Sequence, residues 1–149
     1  MFRYGKTARQ AVAAATYLAA CHGKQGGLVS SGEVARARQI PPMLAAKVLS
    51  VMAGAGLLIG TPGPKGGYRL NRSPGQIHLM DVIRLFDSEN ENLPCPFGPD
   101  WCGNGAPCPL HESFAAIREM TNHFLSTTTL AGFVIPVAGP AAGPSTLQR

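Results

Sequence analysis

Between positions 95 and 111 the chain reads CPFGPDWCGNGAPCPLH, which sets three cysteines and a histidine at the spacing Cys95-x6-Cys102-x5-Cys108-x2-His111. Thiolates and imidazoles are metal donors, and four of them on a Pro- and Gly-rich stretch make a candidate ligand set. Cys3His is a regular tetrahedral set for structural zinc. Zinc knuckles, however, generally bring one pair of ligands to a tight C-x2-C or C-x4-C spacing, and the first three donors here lie further apart. A loop this loose can also wrap an object larger than one ion. Iron-sulfur clusters take thiolates, sometimes with a histidine, and Pro often follows a ligating Cys, as Pro96 and Pro109 do here. A disulfide is the weaker expectation for a cytosolic chain.

The rest of the chain must position this loop. Its 149 residues are 45% hydrophobic, enough for one domain with a real core. The net charge of +5 is unevenly placed: residues 1–72 hold ten Lys and Arg against the single acid Glu33, and the remainder holds three basic and seven acidic residues. A basic excess confined to one half is the electrostatic footprint of a polyanion binder. The start of the chain, MFRYGKTARQAVAAATYLAAC, has some features of a lipoprotein leader. Yet Gln10, Thr16 and Tyr17 interrupt it, and Ala8, Ala11, Val12, Ala15, Leu18 and Ala19 repeat with helical period. A cytoplasmic core helix is expected, with Cys21 as a buried small hydrophobe. No run approaches the roughly 18 apolar residues of a membrane span.

Ser30-Ser31-Gly32-Glu33 has capping-box spacing and predicts a helix over 31–38. Pro41-Pro42 opens a second over 41–53, which stops at Gly54 and Gly56. Leu44, Val48, Val51, Met52 and Ala55 are its expected apolar face, leaving Met43, Ala46, Lys47 and Ser50 outward. Two short helices about a tight turn form a helix-turn-helix. Leu57-Leu58-Ile59, a turn at 62–67, and Tyr68-Arg69-Leu70 then read as a β-hairpin wing, with Lys65 and Arg69 where a wing meets phosphate. Of the helix candidates, Lys47 and Ser50 alone make strong polar contacts, so specificity is expected to lean on thymine methyls and DNA shape.

These segments resemble the IscR/NsrR-type winged-helix regulators. The likeness rests on Ala11-Val12, the run from Ile40 to Leu58 ending in AGLL, GPKGGYRL from Gly63 to Leu70, IHLMDVI from Ile77 to Ile83, and the cysteine loop. It implies a homodimer reading a pseudo-palindromic operator in double-stranded DNA. It also implies cluster ligation by Cys95, Cys102 and Cys108, with His111 at the place of the IscR-type fourth ligand. A 2Fe-2S cluster is the expectation, with 4Fe-4S as the alternative. Three departures stand out: Pro62 replaces the family's usual Arg before the wing, the first cysteine gap is one residue longer, and Arg9 occupies the helix position from which the nitric-oxide sensor takes an acidic ligand.

Leu110, Phe114, Ile117, Thr121 and Phe124 recur at spacings of four and three, a heptad-like seam expected to dimerise. His22, His78 and His123 receive no role. The expected fold is mainly α with a small β-hairpin, a winged helix-turn-helix domain plus a long dimerisation helix. Its parts are a DNA-binding domain over 1–88, a cluster loop over 89–111, the dimerisation helix and a short turn over 112–133, and a disordered tail over 134–149. The expected function is a cluster-sensing transcription regulator, not an enzyme and not bound to a membrane. Two rivals remain, a zinc-stabilised DNA-binding or interaction module without sensing, and a thiol-redox protein using Cys108 and His111.

Overall fold

The computed structural model describes residues 4–23, 27–87, 95–98, 101–102 and 105–134, so the expected tail lies outside the described residues after Val134. Helix α1 (Lys6–Ala20) is dominated by alanine, the best helix former. It buries Ala8, Ala11, Ala14, Ala15, Leu18 and Ala19. Val12, expected in that stripe, is half-buried, and Ala14 takes a fully enclosed position instead. Cys21 caps the helix and is buried in the same core.

Helix α2 (Ser31–Arg38) starts where expected, with the Ser30 hydroxyl accepting from the Glu33 amide at 3.1 Å. The reciprocal half of the capping box is not made. The Glu33 carboxylate accepts from the Tyr17 hydroxyl of α1 at 2.9 Å instead, since a phenol from the packed neighbour reaches it. Arg38 lies 5.3 Å from the centre of the same ring and donates to the Ala13 carbonyl, so the two helices are tied at both ends of α2. Gln39 ends α2 in the left-handed conformation, φ 53°, and the buried Ile40 donates back to Ala35 at 2.9 Å. Three residues thus turn the chain into helix α3 (Pro42–Gly54), capped by Pro41.

The buried face of α3 differs from the expected one. Val48 and Met52 are inside, but Ala45 and Leu49 join them, while Val51 and Ala55 are exposed and Leu44 is half-buried. The helix packs on both α1 and α2, so its buried side, with the small Ala45 fully enclosed, is the one these two helices cover. The wing follows as β1 (Leu58–Thr61) and β2 (Gly67–Leu70), antiparallel with Leu58 opposite Leu70 and Thr61 opposite Gly67. Leu57, expected in the first strand, instead donates to the Met52 carbonyl and closes α3. Val29 adds a bridge to Tyr68 through paired bonds of 2.9 and 2.8 Å. Gly67 is required there, because a Cβ would sit 2.7 Å from the Val29 carbonyl oxygen.

Helix α4 (Leu79–Ile83) begins at His78, whose side chain and Asp81 form a reciprocal capping box. His78 therefore has a structural task that sequence alone did not assign. Helix α5 (His111–Thr127) ends against the head: Leu79 donates to Thr128 and Leu130 to Ile77, both at 2.9 Å. Leu125 and Leu130 enter the common core. The mainly helical winged helix-turn-helix with its small hairpin is thus present, and no helix among the described residues is long and apolar enough to cross a membrane.

The Tyr17–Glu33 bond holds the phenol in its protonated form, pushing its pKa up to about 12, with burial as the second cause. A group whose folded pKa is raised stabilises fully below its unfolded pKa of about 10 and loses that contribution as pH rises through the folded value. Urea unfolding of the wild type should therefore weaken from about pH 10 toward pH 12, whereas Tyr17→Phe should be about 1 kcal/mol less stable at pH 8 and flatter above pH 10.

Candidate metal centre and nucleic-acid interface

The Sγ atoms of Cys95, Cys102 and Cys108 all lie within 4.8 Å of one another. All are free thiols. Local backbone geometry makes this possible: Cys102 adopts a left-handed conformation at φ 48°, and its amide donates to Ala106 at 3.2 Å, closing a turn. That turn brings the Cys108 amide to 3.5 Å from the Cys102 sulfur. His111 reaches the same sulfur, its Nδ1 lying 3.2 Å away, while its own amide donates to the Cys108 carbonyl at 2.9 Å. The structure thus brings the four sequence candidates into one cluster, with His111 joined through Cys102.

The thiols are chemically unequal. The Cys108 amide, and after it the His111 ring, favour the thiolate of Cys102 and lower its pKa to about 7. Cys108 is 5% exposed, and burial pushes its thiol up. Three gathered sulfurs with an adjacent imidazole suit a metal group held by thiolates. Zinc–sulfur bonds of about 2.3 Å put tetrahedral ligands about 3.8 Å apart, a separation within the 4.8 Å that bounds these sulfurs. A cluster spaces its ligands more widely than a single ion does.

Two aromatics beside the thiols escaped the reading of the sequence. Phe97 packs edge-on against Phe114 of α5, with ring centres 6.0 Å apart, and the Trp101 indole lies over Gly98, where a Cβ would come within 3.1 Å. Their signal was adjacency to cysteine, in CPF and WC.

Met43, Ala46, Lys47 and Ser50 are all exposed on one side of α3, and Lys65 and Arg69 are exposed on the wing. On α5 the expected seam divides. Leu110, Ile117 and Phe124 are exposed, Phe114 is half-buried against the cysteine loop, and Thr121 donates to the Ile117 carbonyl. Met120, 73% exposed, extends the apolar surface and was missed, although it lies one helical turn from Phe124. Leu125 is the buried residue of this helix.

The family model described as Rrf2, iron-dependent transcriptional regulator, matches residues 4–135. The chain belongs to the Rrf2 family. It is accordingly a transcriptional regulator and not an enzyme. An HTH-type transcriptional regulator of Aquifex aeolicus is similar, 29% identical over 88% of this chain and 90% of its own. IscR of Xenorhabdus nematophila is 27% identical over 74% of this chain and 66% of its own length. Among solved structures, CymR, the global cysteine regulator of B. subtilis, has TM-score 0.73 at 23% identity, over 91% of this chain and 100% of that one. T. potens IscR has TM-score 0.64 at 22% identity, over 87% and 84%. These two likenesses concern the fold alone.

The inequality of the thiols in this Rrf2 chain is measurable. In metal-free, reduced protein, alkylation by iodoacetamide proceeds through the thiolate, so modification of Cys102 should rise with a midpoint near pH 7 while Cys108 reacts more slowly than Cys102. Peptide mass spectrometry across pH 5 to 9 checks it, and His111→Ala should shift the Cys102 midpoint upward.

Proposed function

We propose that this Rrf2 regulator binds operator DNA as a homodimer and that its cysteine site holds an iron-sulfur cluster, 2Fe-2S in preference to 4Fe-4S, whose state sets DNA affinity. The observation that carries the reading is the gathering of the Cys95, Cys102 and Cys108 sulfurs beside His111, in a family described as iron-dependent. The IscR name of one relative adds support. Cys95, Cys102 and Cys108 are the thiolate ligands in this reading and His111 is the fourth. Bound there, a cluster supplies a redox-active iron centre open to electron transfer and small oxidants. The residues of α3 enter a major groove, with Lys47 and Ser50 supplying polar contacts, and Lys65 and Arg69 bring the wing to phosphate. The α5 surface of Leu110, Ile117 and Phe124, with Phe114 and Thr121 beside it, meets the same surface of a second copy. A coupling of about 1–3 kcal/mol between site and DNA changes affinity by roughly 5- to 150-fold.

One observation favours a second reading. The three sulfurs lie close enough together to share a single ion, which is what a zinc-stabilised DNA-binding module without sensing needs. Anaerobic isolation with metal and sulfide analysis separates the two. The cluster reading expects a red-brown protein with iron and acid-labile sulfide. Colourless protein with one zinc per chain would establish the second.

On the cluster reading, Cys95→Ala, Cys102→Ala and Cys108→Ala should each lose iron and colour together, and Cys21→Ala should lose neither. His111→Ala should retain a labile cluster with a shifted spectrum, since water or an added thiol replaces an imidazole. Duplex binding should fall steeply as salt is raised from 50 to 200 mM, and Lys47→Ala or Lys65→Ala should weaken it and lower the salt slope by about one each.

The assembly reading has its own measurement. Ile117 is 60% and Met120 73% exposed, so replacing both with Asp leaves the fold of one chain intact while placing charges in the proposed interface. Sedimentation should then report monomer, and operator binding should be lost. A double variant that remains dimeric places the interface elsewhere.

A further inference from the structure

The tip of α3 is apolar where the family's task calls for nucleic-acid contact. Met43 is 88% exposed, the highest value among the large exposed hydrophobic residues described. It shares the outward face with Ala46, Lys47 and Ser50, and no acidic or carboxamide side chain stands on that helix. Pro41 and Pro42, at the cap and first position, carry no amide hydrogen, so the opening of the helix has fewer donors to offer a phosphate. An exposed apolar tip on a helix that also carries Lys47, in a head whose wing exposes Lys65 and Arg69, suits a polyanion that also presents apolar groups. B-DNA does so in one place, the thymine C5-methyl in the major groove.

We propose that Met43 is a specificity-determining residue that reads a thymine methyl, with Ala46 beside it leaving room for the base edge. The proposal rests on the DNA-binding reading above and refines it: the preferred half-site contains a thymine whose methyl, not its hydrogen-bonding edge, is recognised. Methionine suits the task, since its unbranched thioether adapts to an apolar surface that it touches from one side. Lys47, one position beyond Ala46, supplies the charge that keeps the helix in the groove and carries little sequence information when it meets phosphate.

The test starts from a duplex selected by the full-length protein out of a randomised pool. Each thymine of that duplex is replaced in turn by deoxyuridine, which removes the methyl and keeps the base pair. The expected result is about fourfold weaker binding at one position in each half-site, the change that goes with losing burial of one methyl-sized group. Met43→Ala should bind the thymine duplex about as weakly as the wild type binds the deoxyuridine one, and should no longer distinguish the two. Its thermal unfolding should match the wild type, because the side chain is exposed. No deoxyuridine effect at any position overturns the proposal while leaving DNA binding intact, and so does an effect that persists in Met43→Ala. Failure to select or bind any duplex overturns this proposal together with the DNA-binding reading.

Discussion

The close approach that alanine allows on α1 is the constraint on which the other elements depend. Ala8, Ala11, Ala14 and Ala19 are completely enclosed, and α2, α3, α4, β2 and the turn at Leu130–Phe133 all pack against this one helix. Where only methyl groups project, neighbouring elements can approach this helix closely, and the larger volumes of Leu49, Met52, Ile77 and Leu130 lie fully buried in the same core. Adding even one methylene to such a packed face forces neighbours off their rotamers, at about 1–3 kcal/mol. The polar ties on the outside of this contact, Tyr17 to Glu33 and Arg38 to Ala13, fasten α2 to α1 just before the turn into α3.

Much of the head was legible in the sequence, because its signals are local. Ser30 with Glu33, Pro41-Pro42, and the glycines around Lys65 each act within a few residues, and α2, α3 and the wing stand within one or two positions of where those signals place them. The misplacements share a physical origin in contacts made far along the chain. Glu33 deserts its cap for a phenol sixteen residues earlier, and α3 turns its stripe toward α1 and α2. Phe114, expected in the seam, also meets Phe97 of the cysteine loop. Periodicity shows that a helix has an apolar side; which residue lies at its centre depends on what packs there.

The cysteine site was legible in residue type, while its geometry was not. Spacing alone left the sulfurs free to hold an ion, a cluster or nothing. Gathering them requires Cys102 in a left-handed conformation unusual for a residue with a Cβ, and no periodic or compositional signal marks such a position. Strained backbone of this sort is held in place by its surroundings, here the bonds from the Cys102 amide to Ala106 and from the Cys108 amide to the Cys102 sulfur.

The same bonds join the site to the rest of the molecule in one direction. The first residue of α5 is His111, and it is bonded both to the Cys102 sulfur and to the Cys108 carbonyl, so the start of the helix is made from the site itself. One turn further, Phe114 rests on Phe97 of the cysteine loop. At the other end, α5 is fastened to the head by the bonds between Ile77–Leu79 and Thr128–Leu130, and by Leu125 in the core. Between these two attachments its apolar side stays exposed at Ile117, Met120 and Phe124. The thiols at the opening turn of α5 and, at its far end, α4 and the turn at Leu130–Phe133 are thus joined by one helix. Among the described residues α5 packs on α4, α4 on α1 and α1 on α3, which gives one chain of packed elements from the thiols to α3.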